Sequence, residues 1–426
     1  MSLDHKPTAR LGVAGWCLYD WANSAFPTVI VTFVFAAYFT KGVAADEVTG
    51  TALWGQAIGW SALVVAVMGP VVGAIADHTG RRKPWLFAST LACSISCGFL
   101  WTVIPDENMV LRALILIGAA NIAFELGMVF YNAMLADLVS SHRIGRVSGW
   151  GWGTGYAGGL ICLVLVLVLF VQAESPLFDL NKDAAEHLRA VGPFVAIWMM
   201  LFALPLFLFT KDRPAADIGK AEAVRRGLTE LVQTIKNARQ HSTAFKFLIA
   251  RMIYTDGLNT LFAFGGIYAA GTFGMSFADL IKFGIGLNMT AGLGAFGFAW
   301  LDDRWGSKKV ILVSLTALTF LCFGMLIVTD IVHFWVIGLS LGVFIGPAQS
   351  ASRSMMAHLA PPEIRTEMFG LYALSGKATA FLGPMLVGGL TLMADSQRVG
   401  MSAILIFFIV GGLMLLMVPE RRATVA

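Results

Sequence analysis

Apolar residues run along this chain in long continuous stretches that short polar segments separate. Each stretch holds about 20 residues, enough for a helix to cross a hydrocarbon core roughly 30 Å thick. Apolar and polar residues do not alternate at every second position, so membrane-spanning strands are not expected. Twelve spans are predicted, at residues 12–40, 52–76, 85–104, 110–137, 147–171, 192–210, 243–272, 278–301, 308–329, 333–358, 367–393 and 398–418.

Composition places the chain in the same class. Of its 426 residues, 57% are hydrophobic and 13% are charged, and the mean hydropathy is +0.75, whereas about a quarter of the residues of soluble domains are charged. We therefore predict an all-α polytopic membrane protein that has the lipid bilayer as a partner. The opening residues MSLDHKPTAR contain no short apolar core followed by a cleavage site, so no removable signal peptide is expected.

Lys and Arg indicate the orientation of the spans. They concentrate at the two chain ends and in the segments that follow the even-numbered spans. Because cytoplasmic segments carry the excess of basic residues, both termini are expected in the cytoplasm and the protein in the cell inner membrane. The formal net charge of +4 then follows from topology, and no nucleic-acid partner is needed to explain it.

Two sequence patterns occur twice, six spans apart. The loop GAIADHTGRRKP (73–84) after span 2 and the loop AWLDDRWGSKKV (299–310) after span 8 both read small-x-x-x-Asp, two residues, Gly, one residue, then two cations. Asp20 and Asn23 of span 1 are likewise matched by Asp256 and Asn259 of span 7. The repeats predict two pseudo-symmetric six-helix bundles, 1–210 and 243–426, with a substrate site between them near the midplane of the membrane.

The segment between the bundles, 211–242, is predicted to be a cytoplasmic linker. Five apolar residues fall on one helical face among charges, which favours an amphipathic helix on the membrane surface. A solvated linker is the alternative. The five residues are Val224, Leu228, Leu231, Val232 and Ile235.

Polar residues inside the spans are the candidates for a transport site. A charge at bilayer depth costs several kcal/mol unless it faces a cavity or a partner, and spacings of three, four and seven place these residues on common helix faces. The alternative is that they only hold neighbouring helices together, as polar side chains do in membrane bundles. The predicted substrate-binding residues are Asp20, Asn23, Asn132, Trp152, Tyr156, Asp256, Asn259, Gln349 and Lys377.

Opposite charges among these spans suggest coupling to protons. The carboxylates of Asp20, Glu125 and Asp256 are predicted proton carriers, and Arg353 and Lys377 are predicted ion-pair partners, because paired buried charges cost far less than unpaired ones. Binding of a proton or a substrate at a carboxylate would release a cation and bias the equilibrium between two states. A permanent structural ion pair, or an Arg353 that reaches toward the membrane surface, is the alternative.

The repeated loop has a mechanical interpretation. Asp77 is expected to accept hydrogen bonds from the N-terminus of a neighbouring helix, where the helix dipole favours an anion. Arg81 or Arg82 would then bridge to acidic groups across the interface, so that the loop closes the cytoplasmic side. Basic loops that serve topology alone are the alternative. The predicted gating residues are Gly73, Asp77, Gly80, Arg81, Arg82, Asp303, Arg304 and Lys308.

The twelve spans and the repeated loop resemble the major facilitator superfamily. Within it, five stretches resemble the vacuole-effluxer-like branch: YDWANSAF (19–26), VFYNAMLADL (129–138), GRVSGWGWGTGYAGG (145–159), QSASRS (349–354) and FGLYALSGKATAFLGP (369–384). The resemblance implies the major facilitator fold, a cavity lined by spans 1, 4, 7 and 10, and solute transport. Amino-acid efflux from a storage compartment is the role it implies for fungal members.

An enzyme is not expected. The stretch GLYALSGKAT has five residues between its glycines where a phosphate-binding loop has four, and Ala378 stands where Ser or Thr would bind the metal. The histidines are scattered without metal-ligand spacing, so no metal site and no cofactor are predicted.

The sequence thus predicts a monomeric, proton-coupled secondary transporter of a small polar or zwitterionic, amino-acid-like solute that works by alternating access. Its partners would be the solute and protons. The alternatives are an exporter of a larger amphipathic metabolite or drug, and a non-coupled membrane receptor or lipid scramblase.

Overall fold

A computed structural model describes residues 10–173, 179–216, 219–236, 241–275 and 277–419. In this part of the chain ten helices are long and apolar enough to cross a membrane. Two further predicted spans are helical but contain charges or a break. The fold is the predicted all-α fold with twelve transmembrane helices.

The helices of the first half lie close to the predicted spans. They are α1 (Arg10–Val43), α2 (Glu47–Thr79), α3 (Lys83–Phe99), α4 (Val110–Leu138), α5 (Ile144–Val166) and α6 (Val191–Phe209). A linker helix, Lys220–Lys236, follows. The second half contains α7 (Ser242–Phe273), α8 (Phe277–Trp305), α9 (Ser307–Ile327), α10 (Ile331–Leu359), α11 (Arg365–Ser375 and Leu382–Ala394) and α12 (Gln397–Leu416).

Helix α11 is broken where the sequence predicts one continuous span. The guanidinium of Arg251 donates to the Tyr372 carbonyl (2.6 Å), which a regular helix would offer to the amide of Gly376. That amide bonds instead to the carbonyl of Ala373 (3.1 Å). The break therefore has a tertiary cause, and it places Lys377 in the turn between the two helical pieces.

Small residues let the two halves approach closely along two seams. A Cβ at Gly73 of α2 would lie 2.6 Å from the Thr366 carbonyl oxygen of α11. A Cβ at Gly149 of α5 would lie 2.5 Å from the Cβ of Ala299 on α8. The small residue of the repeated motif thus stands where the α2–α11 and α5–α8 seams have no room for a side chain.

The linker helix packs on the end of α2. A Cβ at Gly227 would lie 2.9 Å from the backbone of Ala74, and His78 lies 2.5 Å from the carboxylate of Glu230. One part of the predicted apolar face, Leu231, is buried. The others are exposed, namely Val224, Leu228 and Val232, and the side chain of Ile235 lies outside the described residues. Whether this exposed stripe meets the membrane stays a prediction.

Candidate transport site and gates

A buried ion pair joins the two halves. The guanidinium of Arg353 on α10 lies 2.9 Å from the carboxylate of Asp20 on α1. Arg353 also donates to the hydroxyl (2.9 Å) and the carbonyl (2.6 Å) of Ser148 on α5. Since Arg353 is 1% exposed, it does not reach toward the membrane surface, and the pair is sealed inside the seam.

Aromatic rings complete the surroundings of Arg353. Its guanidinium carbon lies 4.8 Å from the ring centre of Trp16, 5.7 Å from that of Tyr131 and 5.6 Å from that of Trp152. The carbonyl oxygen of the Asn132 side chain accepts a longer bond of 3.4 Å. Cation–π contacts and hydrogen bonds thus compensate for the loss of water around this charge.

A second ion pair crosses the halves in a more open position. The ammonium of Lys377, in the break of α11, lies 2.8 Å from the carboxylate of Glu125 on α4. The side chains of Lys377 and Glu125 are 30% and 19% exposed. The Asp20–Arg353 pair is therefore sealed, whereas the Glu125–Lys377 pair is partly exposed.

Asp256 differs from its repeat partner Asp20. It is 1% exposed, and within the described part of the chain neither of its carboxylate oxygens has a hydrogen-bond partner. The Thr379 hydroxyl lies beside the carboxylate without forming a regular hydrogen bond. Asn259, one turn further along α7, donates a long bond of 3.4 Å to the Gly376 carbonyl at the break of α11. A matched sequence thus produces one compensated carboxylate and one uncompensated carboxylate.

Three of the remaining predicted site residues form one group. The hydroxyl of Tyr156 on α5 donates to the side-chain oxygen of Gln349 on α10 (2.6 Å), and the ring of Trp152 lies 5.9 Å from that of Tyr156. Asn23 is directed elsewhere, because its amide contacts the sulfur of Met128 on α4 (3.3 Å) and it is 3% exposed. Asn23 therefore lies between α1 and α4, and its predicted contact with a solute stays a prediction.

The first predicted gate has the geometry of a helix cap. The Asp77 carboxylate at the end of α2 accepts the backbone amides of Thr366 (2.6 Å) and Glu367 (3.0 Å) and the Thr366 hydroxyl (2.5 Å). These groups form the N-terminus of α11, where the helix dipole stabilises a negative charge. Asp77 thus ties the first half to the second at the end of the bundle that carries the Lys- and Arg-rich loops, termed here the basic end.

A buried arginine reinforces this cap. Arg82 is 1% exposed and donates to the Thr366 hydroxyl (2.7 Å) and the Asp77 carboxylate (3.2 Å). It also pairs with Asp137 at the end of α4. Asp137 in turn binds Arg213 and, from the second half, Arg365.

The second predicted gate repeats this geometry on the other seam. The Asp303 carboxylate of α8 accepts the backbone amide of Arg146 at the start of α5 (2.9 Å) and lies 3.2 Å from its guanidinium. Its neighbour Asp302 is buried and accepts the hydroxyls of Ser307 (2.6 Å) and Ser354 within the second half. With both carboxylates in place, the halves are closed against each other at the basic end.

Lys308 lies away from the seam, although the sequence suggests a gating role. Its ammonium donates to the carbonyls of Leu416 (2.9 Å) and Val418 (2.7 Å) at the end of α12. Lys83 in the first half does the same at the end of α6. Both lysines satisfy carbonyls that a helix end leaves free, and they act within their own halves.

Arg81 and Arg304 are also predicted gating residues, but both side chains are exposed. Within the described part of the chain, neither forms an ion pair across the halves. The motif glycines have a conformational role, because Gly80 (φ 80°) and Gly306 (φ 90°) adopt left-handed backbone that favours glycine. Of the two arginines considered for the bridge, Arg82 is therefore the one that reaches it.

Several residues of these networks escape the sequence analysis. Each contacts a partner that is far away in the chain, so spacing along a helix gives no signal. Asp137 stands inside the stretch 129–138 that carries the family resemblance, which is the nearest signal. The missed residues are Asp137, Ser148, Arg213, Asp302, Ser354, Arg365 and Thr366.

Comparison with known proteins identifies the family. The model of the vacuole effluxer Atg22-like family matches residues 42–426. The chain belongs to this family. Among Atg22-like relatives, the MFS-type transporter YxiO of Bacillus subtilis (strain 168) is 28% identical over 412 residues, which covers 96% of this chain and 95% of YxiO. Autophagy-related protein 22 of Coccidioides immitis is 24% identical over 408 residues, covering 78% of this chain and 66% of the fungal protein.

Solved structures show the fold of this Atg22-like chain. The proton:xylose symporter XylE superposes with a TM-score of 0.72 at 14% identity, covering 96% of this chain and 95% of XylE. The transporter FucP in an outward conformation gives a TM-score of 0.72 at 15% identity, covering 96% and 99%. The predicted superfamily is confirmed, and family and fold are those of MFS-type transporters rather than enzymes.

Proposed function

We propose that this Atg22-like protein is a proton-coupled transporter of a small zwitterionic, amino-acid-like solute. The observation that carries the proposal is the partly exposed Glu125–Lys377 pair, which joins the halves at 2.8 Å. The carboxylate of a zwitterionic solute can take the place of Glu125 on Lys377. Charged partners fixed by different helices provide the few convergent polar groups that a solute site needs.

Asp256 and Asn259 provide a second anchor for the solute. Asp256 is buried without a hydrogen-bond partner among the described residues, and an uncompensated buried carboxylate has to hold a proton or meet a cation. Asp256 lies on α7. Asn259, three residues later on the same helix, contacts the break of α11 beside Lys377. In the proposed cycle Asp256 keeps its proton, and its carbonyl oxygen accepts a hydrogen bond from the ammonium group of the solute when the site opens.

Proton coupling follows from competition for Lys377. Protonation of Glu125 removes its charge and frees the Lys377 ammonium for a solute carboxylate, so that the proton and the solute favour the same state. The Asp77 and Asp303 caps close the basic end while Glu125 and Lys377 are paired. Alternating access would consist of breaking these caps while the opposite end closes.

The orientation in the membrane is inferred from the distribution of Lys and Arg, and the transport activity is inferred from the family. The excess of Lys and Arg at the basic end supports a cytoplasmic location for this end and for both termini. The membrane would then be the cell inner membrane. The description of the family as vacuole effluxers supports movement of a solute as its activity. The Glu125–Lys377 and Asp256 geometry supports a zwitterion over an apolar cargo.

Uptake by proteoliposomes tests this function. A mixture of labelled amino acids is offered with and without an imposed pH gradient, to the wild type, to Glu125→Gln and to Glu107→Gln, an exposed control at the start of the same helix region. We expect gradient-driven accumulation by the wild type and by Glu107→Gln. Glu125→Gln should retain solute exchange across the membrane but lose the response to the gradient. Gradient-driven accumulation by Glu125→Gln would exclude Glu125 as the coupling residue, and no uptake of any amino acid by the wild type would exclude the solute class.

A further inference from the structure

A cavity at the basic end lies apart from the residues assigned to the transport site. It has a volume of about 700 Å³ and lies between the start of α3, the end of α6 and the segment that follows α6. Both charged and aromatic residues line it, including Arg81, Lys83, Asp212, Arg213, Phe87 and Phe207. The combination is that of a site for an amphipathic anion.

The charges of the cavity leave an excess of positive charge. Three cations face one carboxylate, Asp212, which is already bonded to the backbone amides of Arg82 (3.0 Å) and Lys83 (3.1 Å). Arg213 is bound to Asp137 at 2.8 Å. Arg81 is exposed and forms no ion pair within the described part of the chain. It is therefore the cation most available to an incoming anion.

The aromatic part of the cavity points along the membrane span. Phe87 follows Lys83 by one helical turn of α3 and is 42% exposed. Its ring meets that of Phe207 on α6 edge to face, with centroids 5.3 Å apart. The cavity thus changes from cationic to apolar in the direction in which a membrane changes from headgroups to acyl chains.

We propose that this cavity binds an anionic phospholipid, with Arg81 on the headgroup phosphate and Phe87 and Phe207 against the start of an acyl chain. Basic pockets between helices at the membrane surface are suited to such headgroups. A free phosphate would use the cations but would gain nothing from the exposed Phe87. The proposal is independent of the transported solute.

The position of the cavity connects lipid binding to the first gate. Arg81 directly precedes Arg82, and Arg213 binds the same Asp137 that pairs with Arg82 and Arg365. A phosphate between Arg81 and Arg213 would hold the loop after α2 against the segment after α6. Anionic lipid is therefore expected to favour the state in which the basic end is closed.

Native mass spectrometry of the full chain tests the site. The protein is titrated with phosphatidylglycerol or phosphatidylcholine, and separately with inorganic phosphate. The test variant is Arg81→Ser, because the second repeat carries Ser307 at the matching position. Lys309→Ser, which removes an exposed cation of the same end, is the control. Since both positions are exposed, both variants are expected to fold.

We expect a phosphatidylglycerol adduct that Arg81→Ser weakens about fivefold, corresponding to about 1 kcal/mol for one basic residue near a membrane surface, and that Lys309→Ser leaves unchanged. Phe87→Ala should weaken the same adduct. Equal weakening by Lys309→Ser, or a phosphatidylglycerol affinity that Arg81→Ser does not change, overturns the proposal. Saturation by inorganic phosphate with no further phosphatidylglycerol adduct would also overturn it, in favour of a free-anion site.

Discussion

The matched carboxylates Asp20 and Asp256 should respond in opposite ways to the same substitution. Asp20→Asn leaves the guanidinium of Arg353, 1% exposed, without its 2.9 Å counter-ion. Removal of one partner of a buried pair costs about 3–5 kcal/mol. The Ser148 bonds of 2.9 and 2.6 Å remain, so we expect the lower part of this range.

Asp256→Asn replaces a buried carboxyl group that has no hydrogen-bond partner among the described residues. No counter-ion is left behind, and burial of a neutral amide costs less than burial of a carboxylate. We therefore expect unchanged or increased stability.

Thermal unfolding of the purified variants in one detergent measures both effects. Asp20→Asn should lower Tm by about 5 °C. In a chain of this size each kcal/mol of lost stability lowers Tm by about 2 °C or less, and the expected loss is about 3 kcal/mol. The double variant Asp20→Asn/Arg353→Met, which removes both charges, should recover most of this loss. An Asp20→Asn variant as stable as the wild type, or an Asp256→Asn variant equally destabilised, would refute the assignment of one compensated and one uncompensated carboxylate.

Two further predictions concern the gates, both measured by hydrogen exchange at the start of α11. Asp77→Asn turns three charge-assisted bonds to the Thr366 region into neutral ones, a loss of about 2 kcal/mol, so exchange there should rise about 30-fold; unchanged protection would contradict the cap. Gly149→Val places atoms within 2.5 Å of Ala299, so it should separate the α5–α8 seam and raise hydrogen exchange at the start of α11. Gly55→Val, with nothing within 4 Å of its Cβ, should leave this exchange unchanged.

The spans and the gate carboxylates could be predicted because their signals are local. An apolar stretch of sufficient length specifies a membrane helix, whatever lies beside it. The motif around Asp77 and Asp303 repeats at one offset, which implies equivalent positions in two halves. Each carboxylate indeed lies at the N-terminus of a helix from the other half, Asp77 at α11 and Asp303 at α5.

Partners distant in sequence could not be predicted. Asp20 and Arg353 are separated by 333 positions, and no spacing rule joins them. The break in α11 depends on Arg251 of α7, which takes the Tyr372 carbonyl from the helix. The repeat of Asp20 as Asp256 suggests equal roles for the two residues. Their neighbours differ, however, and the role of a buried carboxylate depends on whether it has a counter-ion.

Several ion pairs and hydrogen bonds close the basic end. They are compatible with a transport cycle only because water hydrates the same groups when the end opens. Asp77, Asp303 and the Asp20–Arg353 pair all join the halves, and their gross interaction energy far exceeds what a small solute can supply. When the basic end opens, each carboxylate and helix N-terminus is hydrated again, so each interaction contributes only about 1 kcal/mol net. In the proposed cycle, a solute and a proton with a differential affinity of about 5 kcal/mol then suffice to reverse the populations of the two states. A single cap, such as Asp77, accordingly holds a large share of the balance.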